Sequence, residues 1–234
     1  MKPSTEWSRA DLDAVIVDLD GTMVDTLGDF VQALQRMLSD LPVPFCHFPV
    51  DAELVGNMVG KGSEHLIQSL LTHIDSAGME RGGAALFDTA WASYQRHYVE
   101  VNGNYSRVYP GVREGLNTWQ SSGVKLVCVT NKPTAFALAL LEEKGLASYF
   151  CLVVGGDAVA RKKPDPLPLL HACAYMNVKP ARTLMVGDSS NDAQAARSAA
   201  CPVLLVSYGY NHGAPVRSVD ADAYLDSLAD FRWA

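Results

Sequence analysis

The sequence predicts an α/β protein: a doubly wound, mostly parallel sheet with a Rossmann-like core, and a helical cap inserted after the first strand. Three observations carry that prediction. Short apolar runs recur without polar alternation, as strands covered on both faces require. Helix-length segments separate these runs, which is the βαβ rhythm of an open sheet. One long stretch, 25–107, breaks the rhythm with helical patterning alone.

The first strand is Ala14-Val15-Ile16-Val17, stopping at Asp18. Lys125 to Val129 is the second, ending at Thr130, and Leu152-Val153-Val154 the third, ending at Gly155-Gly156-Asp157. Leu184-Met185-Val186 runs into Gly187-Asp188, and Val203 to Val206 is the fifth. Between them lie helical segments at 111–122, 134–144, 166–176 and 191–200. In the insert, helical spacing covers 27–38, 63–74 and 84–101, with Leu66, Ile67, Leu70 and Leu71 on one stripe. Pro42, Pro44 and Pro49 mark an irregular link there, and Pro110-Gly111 marks the return to the core. The expected division is therefore a core of 1–24 and 108–234, with a cap of 25–107.

At 234 residues the chain is long enough to bury a core without disulfides or a structural metal. A net charge of −7 argues against nucleic acid or an anionic membrane as partner. No apolar run approaches the ~18 residues of a membrane helix. The first nine residues carry charge where a secretion signal needs its apolar centre. The five cysteines are scattered without a C-x-x-C pair, which suits reduced thiols. A cytoplasmic protein, monomer or homodimer, is expected.

Four polar clusters follow strands at their C-terminal ends, the edge where open α/β sheets bind ligands. In Asp18-Leu19-Asp20-Gly21-Thr22, alternation puts two carboxylates on one side of the chain as it leaves the strand. They repel unless a cation or a proton shares the site. With Mg²⁺ between them, one carboxylate can serve as nucleophile and the other as general acid and base. Thr130-Asn131-Lys132-Pro133 offers a hydroxyl and helix-start N–H groups to an anion. In Arg161-Lys162-Lys163-Pro164, Lys163 is the cation expected to reach the anion, with Arg161 and Lys162 solvated. In Gly187-Asp188-Ser189-Ser190-Asn191-Asp192, Asp188 supplies a hard oxygen for Mg²⁺, and Asp192 anchors metal-bound water or orients Lys163. Each cluster alone also reads as turn or capping chemistry. Their recurrence at successive strand ends is what points to a site.

These four clusters, in order, resemble the four motifs of the haloacid dehalogenase superfamily, over nearly the whole chain. The insert resembles that family's C1-type cap. Val59-Gly60-Lys61-Gly62, Tyr109-Pro110-Gly111-Val112, Thr130-Asn131-Lys132-Pro133 and Tyr208-Gly209-Tyr210-Asn211 are similar to its phosphoglycolate phosphatase branch. The resemblance implies Mg²⁺-dependent hydrolysis of a small phosphorylated metabolite through an aspartyl-phosphate. It implies Asp18 as nucleophile and Asp20 as acid and base. Metal ligands would be the Asp18 carboxylate, the Asp20 backbone carbonyl and Asp188, with Asp192 beside them. Thr130, Asn131 and Lys163 would hold the phosphate, with Thr22 also on the substrate side.

The core motifs touch phosphate and metal only, so discrimination between leaving groups falls to the cap. There Lys61 and Gly62, just before the helix near Ser63, are expected to receive a substrate carboxylate, unless the glycines only turn the chain. Another sugar-phosphate phosphatase or a phosphomutase remains open. A dehalogenase is disfavoured by Asp20, and a non-catalytic scaffold by the completeness of the motifs. The six histidines show no ligand spacing; Trp91, Tyr94 and Tyr98 read as cap core, and Tyr208 and Tyr210 as packing or the rim of the entrance.

Overall fold

The fold is seen in a computed structural model that describes residues 7–76 and 83–234. Residues 1–6 of the polar start and 77–82 of the insert lie outside it. Six strands form one parallel sheet: β1 (Ala14–Val17), β4 (Lys125–Val129), β5 (Leu152–Val154), β6 (Thr183–Gly187), β7 (Val203–Val206) and β8 (Ala223–Leu225). Their order is β5-β4-β1-β6-β7-β8, with β1 near the centre. The chain runs outward from β1 to β5 and then crosses back to β6, so the switch point of the topology lies at β1.

Strand alternation explains why the runs read as wholly apolar. Val15 and Val17 pack with Val112, Leu116 and Trp119 of α5 (Val112–Ser121) and with Leu140 and Leu141 of α6 (Thr134–Glu143). Ala14 and Ile16 face the other side, against Leu169, Ala172 and Met176 of α7 (Leu167–Met176) and the alanines of α8 (Ser190–Ala199). Both faces are dry, so neither tolerates polar alternation. The strand β8 was not expected. Ala-Tyr-Leu is too short and too closely flanked by aspartates to stand out, and its pairing with β7 completes the edge.

The insert holds α1 (Leu27–Ser39), the short α2 (Ala52–Gly56), α3 (Ser63–Ser76) and α4 (Gly83–Val101). They surround an apolar cluster of their own, built on Leu34, Met37, Leu38, Leu66, Ile67, Leu70, Tyr94 and Tyr98. A two-stranded antiparallel ribbon, β2 (Val24–Asp25) with β3 (Arg107–Val108), ties the chain entering the insert to the chain leaving it. Sequence patterning showed no strand here, because two residues carry no period. No helix among the described residues is long and apolar enough to cross a membrane. The five cysteines are free; Cys128, Cys173 and Cys201 are buried as expected, whereas Cys151 is exposed.

Asp29, fully buried in the first turn of α1, accepts hydrogen bonds from the backbone N–H of Gly103 (2.8 Å) and of Tyr105 (2.7 Å). It thereby anchors the exit of the insert to its entry. Asp29→Ala leaves these amides without their acceptor, at a cost of about 2–4 kcal/mol. The expected outcome is a lowered urea midpoint with an unchanged slope; an unchanged midpoint would show that this anchor carries no stability.

Candidate active site

Register brings the four clusters together. Val17 sits level with Cys128 on β4 and with Val186 on β6, so Asp18, Thr130 and Asp188 leave the sheet side by side. Asp18 N–H still donates to Val186 O at 2.9 Å, which keeps the first carboxylate on the strand line. The chain then turns sharply, with Met23 and Val24 N–H both donating to Leu19 O. Gly21 makes that turn at φ +83°, and a Cβ there would lie 2.2 Å from Asp188 Oδ2. Only glycine lets the loop approach Asp188 so closely.

Asp188 is gripped from two sides. Thr22 Oγ1 donates to its Oδ1 at 3.2 Å, and Tyr210 N–H donates to Oδ2 at 2.6 Å. Thr22 is fully buried and does not line the cavity described below. Thr22, expected on the substrate side, directs its hydroxyl proton to a carboxylate.

Asp192 is likewise engaged inside the protein. Its Oδ2 accepts from Asp188 N (3.2 Å), Ser189 N (3.1 Å) and Ser189 Oγ (2.8 Å), and its Oδ1 accepts from Lys163 Nζ (2.7 Å). Of its two expected roles, anchoring metal-bound water or orienting Lys163, this geometry serves the second. Lys163 Nζ also donates to Val129 O (2.8 Å) and lies 2.8 Å from Asp18 Oδ1. The ammonium thus spans two buried carboxylates.

Asn131 joins three loops. Its Nδ2 donates to Gly60 O and to Lys163 O, and its Oδ1 accepts from Lys163 N, each at 2.9 Å. Asn191 Nδ2 reaches the same Gly60 carbonyl at 3.1 Å, so two strand-end amides hold one carbonyl of the insert. Thr130, buried, lines the cavity and accepts from Lys132 N at 3.2 Å.

Between insert and strand ends lies a cavity of about 40 Å³. Asp18, Asp20, Asp188, Thr130 and Asn131 line its core side; Phe30, Val59, Gly62, Ser63 and Leu66 line the other. Gly62 is at the wall as expected, but Lys61 is exposed and absent from it. The cation on that wall is Lys132, which the sequence did not single out. Its Nζ donates to Asp20 Oδ1 (3.1 Å) and to the Tyr98 hydroxyl. Tyr210 lines the cavity too, whereas Tyr208 bonds Thr22 O at 2.8 Å. The remaining cations bond elsewhere, Lys162 to Glu64 and Arg161 to Asp165.

Electrostatics describes a site short of positive charge. Burial pushes the Asp18 carboxyl up to about 7, opposed by Lys163 and assisted by Asp192. Burial, with Asp192 and Asp18 adding repulsion, raises Asp188 well above the usual carboxylate range. Burial disfavours the Lys163 ammonium, but Asp18 and Asp192 outweigh it and hold its pKa above the ordinary value. Oxygens of Asp18, Asp188 and Asp192 all lie within 4.8 Å of one another. Three carboxylates against one ammonium fit a hard divalent cation, bound by oxygen.

A family model for haloacid dehalogenase-like hydrolases matches residues 12–200. The chain belongs to this family of hydrolases. Among the family's curated proteins, it is 44% identical to a phosphoglycolate phosphatase of Thiobacillus denitrificans, over 94% of this chain and 93% of the relative. It is 45% identical to one of Nitrosospira multiformis, over 93% and 92%. Among solved structures, a predicted phosphoglycolate phosphatase from Haemophilus somnus superposes with a TM-score of 0.86 at 32% identity, covering 94% of this chain and 96% of that one. In this hydrolase the fold matches the family expectation.

Raised carboxylate pKa values set the sign of a pH effect. Between about pH 4 and 7 the unfolded chain has released protons that the folded site still holds, so these groups stabilise the fold less as pH rises. A divalent cation competes with those protons. Saturating Mg²⁺ is expected to raise the thermal midpoint by about 5–10 °C at pH 8. The rise should be much smaller at pH 5 and absent in Asp188→Asn. Equal stabilisation at both pH values would contradict the shared-cation account.

Proposed function

We propose that this hydrolase is a Mg²⁺-dependent phosphomonoesterase that acts through an aspartyl-phosphate, with 2-phosphoglycolate as its substrate. In this proposal residues 25–107 form the cap over a core of 1–24 and 108–234. The relatives named above support the substrate. The observation that carries the proposal is the convergence on one cavity of Asp18 and Asp20 with Asp188, Thr130 and Asn131.

Asp18, held by Lys163, attacks the phosphorus; an oxygen–phosphorus bond forms as the bond to the leaving alkoxide breaks. Asp20 gives that alkoxide a proton. Asp20 then takes a proton from water, which attacks the same phosphorus and frees Asp18. Thr130 and the N–H groups that open α6 hold the phosphoryl oxygens, and Asn131 fixes the loop that carries them. Lys163 serves two partners: it keeps Asp18 ionised and offsets phosphoryl charge, while Asp192 fixes its position. Mg²⁺, held by the Asp18 carboxylate, the Asp20 backbone carbonyl and Asp188, would supply further positive charge to the transferring group. Phosphate-monoester hydrolysis is among the slowest uncatalysed reactions, so the transferring group needs both the ammonium and the divalent cation.

Asp18→Asn tests the proposal in steady-state assays with 2-phosphoglycolate. The amide keeps the shape but is a far poorer nucleophile, so turnover should fall by at least about 10³-fold in a protein that still folds. Wild-type activity should vanish on chelation and return with Mg²⁺ but poorly with Ca²⁺, which prefers more ligands at longer distance. Retained turnover in Asp18→Asn, free of wild-type protein, would falsify the nucleophile; full activity after exhaustive chelation would remove the metal from the proposal.

A further inference from the structure

Lys132 is a buried cation that the phosphoryl-transfer steps leave without a task. It is the single cationic side chain among the residues that line the cavity. Its side chain is 2% exposed, and its Nζ sits 5.0 Å from the Phe30 ring centroid and 4.8 Å from that of Tyr98. These rings come from α1 and α4 of the insert, whereas Lys132 itself follows the strand end at Thr130. Tyr98 is held in turn by stacking on Tyr94 (5.1 Å) and an edge contact with Phe136 of α6 (4.9 Å). The ammonium is thus fixed from both sides of the cavity.

An ammonium has three donors. Among the described residues, two acceptors are present, Asp20 Oδ1 and the Tyr98 hydroxyl. A third donor remains for a group in the cavity. The wall around it is apolar, with Phe30, Val59 and Leu66, so an anion placed there loses water and depends on this one cation. Lys61, the cation expected from the glycine-flanked cap loop, is exposed and lines no part of the wall.

We propose that Lys132 is the specificity-determining residue of the site, receiving the carboxylate of the leaving alcohol, with Tyr98 and Phe30 as the positioning residues that hold its ammonium. The inference rests on the phosphatase reading and adds to it where the substrate's second charge goes. The phosphate lies toward Asp18 and Lys163, and the carboxylate toward Lys132, so the two anionic ends meet two separate cations. A neutral leaving group would leave the third donor of a buried ammonium unmatched, and selection against it follows.

The test compares two esters of similar size, 2-phosphoglycolate and ethyl phosphate, by kcat/KM in wild type and in Lys132→Met, each with Mg²⁺. The intrinsic difference between the two alcohols cancels when their ratio is compared between proteins. Wild type should prefer the carboxylate ester, and Lys132→Met should reduce that preference by at least about tenfold. A second variant, Lys132→Gln, keeps a donor for Asp20 and Tyr98 without the charge; it should lose the preference as well and covers the case in which Lys132→Met does not fold. A preference unchanged in a folded variant, or equal losses for both esters, overturns the role of Lys132. Wild-type hydrolysis of both esters with no preference overturns it too, with the phosphatase reading intact. Wild type that hydrolyses neither ester brings down the phosphatase reading itself.

Discussion

Three carboxylates and one ammonium, withdrawn from water at the C-terminal edge of the parallel sheet, are the constraint on which this molecule turns. Lys163 pairs with Asp18 and Asp192, and Asp188 beside them leaves the cluster with a deficit of positive charge. Buried charge of one sign is costly without partners, and the protein answers with partners at every free lone pair it can reach. Thr22 and the Tyr210 amide are spent on Asp188; Ser189 and two backbone amides are spent on Asp192. What is left over, the Asp18 oxygen facing the cavity and the net negative charge, is the part a cation and a phosphoryl group can use.

The sheet exists in this form to make that arrangement rigid. Parallel pairing of β1 with β4 and β6 fixes three strand ends in register, and helices on both faces leave the strands no freedom to shift. The glycines serve close approach: Gly21 and Gly209 face the Asp188 side chain at distances that no Cβ could occupy. The insert closes the fourth side. Its Gly60 carbonyl is held by Asn131 and Asn191 together, so two motif asparagines fix the position of the insert. Lys132 on Tyr98 and Lys162 on Glu64 add further links between the strand-end loops and the insert.

Much of this was legible in the residues. The strands were visible because two-sided burial leaves uninterrupted Val, Ile and Leu runs, and three of them, before Asp18, Thr130 and Asp188, lead directly into polar clusters that line the cavity. The insert was visible through its 3.6-residue stripes. Lys132 was not legible, because a lysine beside a helix start usually faces solvent, and only the rings of Phe30 and Tyr98, distant in sequence, bury it. Tyr98 read as cap core and is cap core; its hydroxyl at the end of that packing is what sequence periodicity cannot show. Lys61 shows the opposite. A cation between two glycines looks like an anion-binding loop, yet the turn exposes its side chain and leaves the flanking Gly60 and Gly62 at the wall. Thr22 sits in the first motif but turns inward to Asp188, a direction set by the Gly21 turn rather than by residue type.

The account as a whole stands on Asp18 carrying the phosphoryl group. The most direct measurement is a rapid acid quench of the wild-type enzyme during turnover of 2-phosphoglycolate labelled at phosphorus, followed by peptide mapping of the trapped label. The account predicts acid-stable label on the peptide that contains Asp18, formed in a burst that requires Mg²⁺ and is absent from Asp18→Asn. Turnover with no protein-bound label at any quench time, or label on a different residue, would contradict it.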